Sequence, residues 1–123
     1  MTGGKRHWFV PDAYLPDAGP LPDGSVSHEA ACLLNVGDEE ARVTLTFYFE
    51  DRDPLGPVEL RLAARRTWHV RLDDPGQLGG LELPRGVPYA YAAESDVPVV
   101  LQHSRLDTSA GGYTLFTSIA YGE

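Results

Sequence analysis

Strict alternation of apolar and polar side chains is the feature that most constrains how this chain can fold. In the segment 41–50 every second residue is apolar, and these residues are Val43, Leu45, Phe47 and Phe49. A period of two is that of a β-strand with one buried and one solvent-facing side, which β-branched and aromatic residues favour. Because helical periodicity is nearly absent elsewhere, the sequence predicts an all-β protein.

Further short segments repeat this pattern between turn signals. The predicted strands are residues 7–10, 28–35, 41–50, 58–62, 66–72, 89–94, 98–105 and 113–121. Most of the 13 glycines and 10 prolines fall in the connections, among them Asp-Val-Pro at 96–98. We therefore predict a single domain over residues 1–123, an antiparallel β-sandwich of about eight strands. Two connections, 11–27 and 76–88, are long enough to be functional or mobile.

The segment 64–71 combines a core-facing side with a row of basic side chains. Its sequence is Ala-Arg-Arg-Thr-Trp-His-Val-Arg, so alternation directs Trp68 and Val70 inward. The opposite side carries Arg65, Thr67, His69 and Arg71. Guanidinium groups donate in pairs and suit anions or polyhydroxylated ligands, so we interpret this row as a binding surface. The preference for arginine (Lys5 is the only lysine) fits a GC-rich genome equally well.

Two more polar concentrations lie at the ends of predicted strands. One is Ser27-His28-Glu29, and the other is Gln-His-Ser-Arg-Leu-Asp at 102–107, after the apolar residues 99–101. Arg105 and Asp107 lie on one side of that predicted strand, and two interpretations stay open. They form a strand-end ion pair that contributes at most about 1 kcal/mol, or Asp107 orients Arg105 to donate to ligand hydroxyls.

Charge and residue usage argue against several classes of function. A net charge of −8 disfavours nucleic acid as a partner. The four histidines are dispersed without ligand spacing, so no metal or other cofactor is expected. Cys32, the single cysteine, lies in an apolar run and is expected to be a buried, unreactive thiol.

Catalysis and membrane insertion also lack a signal. There is no Gly-x-Ser-x-Gly or phosphate-loop motif, although Glu29 or Asp107 could serve as a base with a histidine as acid. We therefore expect no enzyme activity. No apolar run approaches the roughly 20 residues of a membrane span, and the N-terminus does not resemble a signal peptide. These features predict a cytoplasmic protein without membrane insertion.

The three polar concentrations, in this order, resemble the sensory rhodopsin transducer family. The segments Ala-Arg-Arg-Thr at 64–67 and Gln-x-x-Arg-x-Asp at 102–107 are the most specific, and 34–39, Gly56-Pro57 and 119–121 also match. The resemblance implies a small all-β sandwich, a homotetramer and a cytoplasmic role. It also implies binding of a small molecule, a sugar or related metabolite. By similarity, the candidate ligand or assembly residues are Ser27, His28, Glu29, Arg65, Arg66, Thr67, His69, Arg71, Gln102, Arg105 and Asp107.

Residues and resemblance together predict a non-enzymatic sensory or regulatory domain for a small polar ligand. Arg65, Arg71 and Arg105 would donate to it, and Glu29 and Asp107 would accept. The alternative is an interaction protein whose acidic segments 37–40 and 51–53 dock on the cytoplasmic face of a microbial sensory rhodopsin. A third interpretation is that Arg65, Arg66 and Asp107 only bridge subunits.

Overall fold

The computed structural model describes residues 3–123, and nearly all of its regular structure is β-strand. The strands are β1 (Lys5–Tyr14), β2 (His28–Asn35), β3 (Ala41–Phe49), β4 (Leu55–Leu62), β5 (Arg66–Arg71), β6 (Pro88–Asp107), β7 (Thr114–Ile119) and β8 (Tyr121–Gly122). A single 3-10 turn, Pro75–Gln77, stands between β5 and β6, and all strand pairs are antiparallel. The predicted all-β, antiparallel fold is confirmed. Within residues 3–123 we find no helix with the length and apolar character to cross a membrane.

The 20-residue strand β6 joins two sheets. Its first half pairs with β1 and β3, which gives sheet A the order β4-β3-β6-β1-β8. Its second half pairs with β2 and β7, which gives sheet B the order β5-β2-β6-β7. The outer strands β5 and β7 each pair on one side only. The fold is a β-sandwich in which one strand belongs to both sheets.

The prediction of two strands separated by a turn at 96–98 is wrong. Opposite β1, the register passes from His7↔Glu94 to Lys5↔Val99, so residues 95–98 form a bulge between the two sheets. Pro98 has no backbone N–H to donate to a neighbouring strand, but a residue in a bulge does not need to make that hydrogen bond. A similar shift between Val10 and Ala13 lets β1 continue through residues 11–14, which were predicted as loop.

The segment 113–121, predicted as one strand, is divided at Ala120. Its first part, β7, pairs with β6 in sheet B, and its second part, β8, pairs with β1 in sheet A. The amide of Ala120 donates to the carbonyl oxygen of Leu101 at 3.2 Å where the chain changes sheet.

The core follows the alternation of β3. Val43, Leu45 and Phe47 are fully buried, whereas Tyr48, which follows Phe47 and points to the opposite side, is exposed. Phe47 packs against the rings of Tyr89 and Tyr91 from the first half of β6, with centroids 6.1 and 5.7 Å apart. These two tyrosines carry hydroxyl groups into the core, where polar partners are required.

Candidate functional site

The basic row on β5 lies at the open edge of sheet B. Thr67 and His69 are exposed and Val70 is buried, as alternation predicts. Trp68, predicted to face inward, is only half-buried, and Arg66 is exposed at the start of the strand. Arg65 precedes the strand in a left-handed conformation (φ 59°) and points its guanidinium to Asp38, 3.6 Å away. These side chains lie along a sheet edge, and none of them lines the cavity of about 590 Å³ that opens beside Arg71.

Arg71 is held differently, at the end of β5. Its Nε and Nη2 donate to the two oxygens of Asp73 at 2.7 and 2.8 Å. Arg85, from the connection between β5 and β6, places Nη2 3.6 Å from the same carboxylate. Burial works against the charge on Asp73, but the hydrogen bonds and charge of Arg71 outweigh it. The pKa of Asp73 therefore lies below its ordinary value of 3.8.

A cavity of about 590 Å³ opens beside this pair. We call it the loop-end cavity because three connections form it: residues 15–27, 50–54 and 72–87. Its walls are Leu15, Arg52, Leu55, Asp73, Glu82, Leu83, Pro84 and Arg85. The lining combines four apolar side chains with two guanidinium and two carboxylate groups. Concave sites of this size, largely apolar with a few polar groups, are typical of small-molecule sites.

A second polar cluster is buried between the sheets around Glu29, whose side chain is 0% exposed. Oε1 accepts from the hydroxyl of Tyr89 at 2.6 Å and the amide of Tyr14 at 2.9 Å. Oε2 lies 2.7 Å from Nε2 of His103 and accepts from Nε of Arg105 at 3.0 Å. Burial opposes ionisation, yet hydrogen bonds from His103 and Tyr89 lower the pKa of Glu29 below 4.5. We call these residues the Glu29 cluster.

The contacts of His103 show that its Nε2 carries a proton. Nε2 faces a carboxylate, which only accepts, so Nε2 carries a proton. Nδ1 lies 2.8 Å from the Tyr91 hydroxyl, which donates to it when the imidazole is neutral. Both oxygens of Glu29 are thereby occupied by protein donors.

Neither interpretation of Arg105 and Asp107 describes the structure. Arg105 pairs with Glu29 on the neighbouring strand, because antiparallel pairing places these two residues opposite each other. Its guanidinium lies 5.7 Å from the Phe116 ring, and its buried Nη2 has no hydrogen-bond partner among the described residues. Asp107 instead accepts from the amide and hydroxyl of Ser109.

The other sequence candidates are spread over the domain. Ser27 is buried against Thr108, and His28 contacts the Val26 carbonyl through Nδ1 at 3.0 Å. Gln102 donates to Thr117 on the exposed side of sheet B. Cys32 is half-buried, so the expectation of full burial is wrong; its sulfur lies 3.6 Å from Ser104 Oγ. Among residues 3–123 no group of histidine, cysteine and carboxylate side chains is placed to hold a metal ion.

Sequence reasoning missed the residues that organise both sites. His103 offered a signal, since it alternates with Leu101 on the inner side of its strand. Arg52, Glu82 and Arg85 offered none, because they lie in connections whose mutual position only the fold defines. Of the sequence candidates, the structure unites Glu29 with Arg105, and it places Arg71 beside the loop-end cavity.

Fold and site define a small two-sheet β domain with a salt-bridged polar core and a cavity between its connections. The chain belongs to the Anabaena sensory rhodopsin transducer family, whose family model matches residues 3–122. The crystal structure of Thermotoga maritima 1070 is similar at 43% identity and a TM-score of 0.87, covering 99% of this chain and 97% of that one. The Anabaena sensory rhodopsin transducer is 36% identical with a TM-score of 0.70, covering 84% of this chain and 98% of its own. No curated protein matches.

Proposed function

We propose that this protein is a non-enzymatic, cytoplasmic sensory domain that binds a small polar ligand, a sugar or related metabolite, in the loop-end cavity. The observation that carries the proposal is the combination of apolar side chains with charged groups of both signs in the lining of that cavity. A sugar presents apolar C–H faces and hydroxyls that both donate and accept. Such a lining matches both properties.

Free hydrogen-bonding capacity in the cavity supports this ligand class. The carboxylate of Glu82 has no hydrogen bond or ion pair among the described residues. Arg52 uses Nε and Nη2 on Asp51 at 3.0 and 3.5 Å, which leaves Nη1 available. A ligand hydroxyl can accept from one of these groups and donate to the other.

The charge balance favours a neutral ligand over a phosphorylated one. Two arginines and two carboxylates line the cavity, and Arg71 and Asp51 outside it pair with members of the opposite sign. Because the local charges cancel, the cavity has no excess positive charge for a phosphate group.

A non-enzymatic role is supported by the state of Glu29. The catalytic alternative used Glu29 or Asp107 as the base. Glu29 is buried, and all four of its hydrogen-bond contacts are within the protein. Asp107 accepts from the amide and hydroxyl of Ser109. A general base must reach the proton that it removes. Glu29 is better suited to holding strands together.

A thermal-shift screen against neutral sugars, sugar acids and phosphorylated sugars tests the proposal. A ligand at 100 times its Kd should stabilise the fold by about 2.7 kcal/mol. Glu82→Gln should weaken a hit about tenfold, since one charge-assisted hydrogen bond is lost. The matched control is Glu40→Gln, an exposed carboxylate paired with Arg61 outside the cavity. Absence of any saturable shift, or a hit with equal affinity in both variants, would overturn the proposal.

A specific observation also favours the alternative, docking on a sensory rhodopsin, and assembly into a homotetramer. Large apolar side chains are exposed along 113–121, including Leu115 at 78% and Ile119 at 63%. Their strand β7 has a free edge, and monomeric proteins seldom leave such a strand uncovered. We propose that a second copy covers β7 in the tetramer. We also propose that a rhodopsin docks on this strand or directly beside it.

A further inference from the structure

Ser27 is a buried junction between the loop-end cavity and β7. Its side chain is 0% exposed. Its carbonyl oxygen accepts from Nη1 of Arg85 at 3.0 Å. Its hydroxyl accepts from the amide of Thr108 at 2.9 Å and lies 3.0 Å from the Thr108 hydroxyl. One residue thus joins a cavity-lining arginine to the first residue of the turn before β7.

Arg85 fastens the whole connection 15–27. Its Nη1 also donates to the carbonyl oxygen of Pro16 at 2.9 Å, so one guanidinium nitrogen holds both ends of that connection. The same side chain lines the loop-end cavity. A ligand that draws the Arg85 guanidinium toward the cavity would therefore lengthen and weaken the hydrogen bonds from Nη1 to Pro16 and Ser27.

The far end of the turn 108–113 rests on the same connection. Tyr113 donates its hydroxyl proton to Asp23 and also lies 3.2 Å from the Ser25 hydroxyl. Hydrogen bonds from Ser25 and Tyr113 lower the pKa of Asp23 to about 2. Both ends of the turn that leads into β7 are therefore anchored on residues 15–27.

Strand β7 has few other anchors. All six of its residues are exposed, and it pairs only with the second half of β6. Segments with few buried contacts open locally at low free energy, so the turn's anchors contribute a large share of the order of β7.

We infer that Arg85 and Ser27 form a relay that couples occupancy of the loop-end cavity to the order of β7. The inference rests on the proposed function for its input, a ligand that draws Arg85 toward the cavity. Its consequence is a change in the order of the exposed apolar strand β7, the surface on which a second copy or a partner would bind. A relay of this kind is established only by measured coupling between its ends.

Amide hydrogen exchange in Arg85→Met, Ser27→Ala and the double variant measures that coupling in the full chain. Arg85→Met removes the hydrogen bonds to both Pro16 and Ser27. It should speed exchange in 16–27 and 114–119 at least about tenfold, the effect of a single charge-assisted hydrogen bond. Ser27→Ala should speed exchange in 108 and 114–119 by a similar factor. In the double variant, exchange of 114–119 should be no faster than in Ser27→Ala alone. Residues 41–49 in β3 serve as the internal reference.

Two controls keep the test decisive. Ser109→Ala removes a hydroxyl from the same turn that bonds only Asp107, and it should leave 114–119 unchanged. Arg85→Lys retains the charge without the two-carbonyl geometry and substitutes for Arg85→Met if that variant does not fold.

The relay is overturned if Arg85 variants affect 16–27 without 114–119, or if the two substitutions act additively on 114–119. These measurements use no ligand, so a failed ligand screen with intact coupling would overturn the proposed function alone.

Discussion

Replacing Glu29 by glutamine tests whether the buried cluster holds the two sheets together. The change keeps the side-chain shape but removes the charge that faces Arg105. It also puts an amide donor where one oxygen now accepts from two groups. Removing one partner of a buried ion pair costs about 3–5 kcal/mol. Domains of this size have a total stability of about 5–15 kcal/mol, so the loss is a large fraction.

The loss is measured as the free energy of unfolding from urea titration, followed by tryptophan fluorescence. Trp8 is buried in the core and reports global unfolding. We expect a lower urea midpoint with an unchanged m value. In a thermal scan, Tm should fall by about 10–20 °C. Because Arg105 then lacks its counter-charge, adding Arg105→Met to Glu29→Gln should cost less than Arg105→Met alone.

Glu59→Gln is the matched control for this experiment. Its carboxylate is 48% exposed and pairs with Arg42 and Arg61, at 3.2 and 3.5 Å, on the surface of sheet A. Exposed ion pairs contribute about 0–1 kcal/mol, so the control should change stability very little. If Glu29→Gln lost less than about 1 kcal/mol, or no more than the control, the reasoning from the buried cluster would be refuted.

The remaining predictions concern pH and assembly. Because the pKa of Glu29 is lower in the folded than in the unfolded state, its stabilisation is complete above its ordinary value of 4.5 and is lost as the pH falls through the folded pKa. The urea midpoint should therefore decrease below about pH 4.5 in the wild type and less steeply in Glu29→Gln; equal slopes would contradict this assignment. Leu115→Asp should dissociate an assembly that buries β7, seen by light scattering after size exclusion, whereas Glu123→Gln outside that strand should not. An unchanged mass for Leu115→Asp would place the subunit contact elsewhere.

The structure also changes what the sequence candidates mean. Glu29, Ser27 and Arg105 were expected at a ligand, yet the structure buries Glu29 and Ser27 completely and pairs Arg105 with Glu29. These three residues hold strands and connections in position. The proposed ligand contacts are instead residues such as Glu82 and Arg85, for which no sequence pattern offered a signal.

The positions of several strands, and the inner and outer sides of some of them, were determined by the sequence alone. Alternation is a local property, so β2, β3 and β5 could be located, and core-facing residues of β3 and β5 named, without any partner. The family resemblance was also readable, because its motifs are short segments in a fixed order. The continuity of β6 was not readable, because proline at 98 signals a turn unless a bulge between two sheets receives it.

Only the tertiary structure decided which charged groups meet. Glu29 and His103 are 74 residues apart, and they meet because antiparallel pairing of β2 with β6 sets their register. Arg85 reaches Pro16 and Ser27 across 69 and 58 residues because two long connections fold over the same end of the sandwich. Alternation states which side of a strand a residue occupies, but pairing and chain reversal determine what stands opposite it. The buried cluster, the loop-end cavity and the relay are therefore properties of the fold and not of any segment.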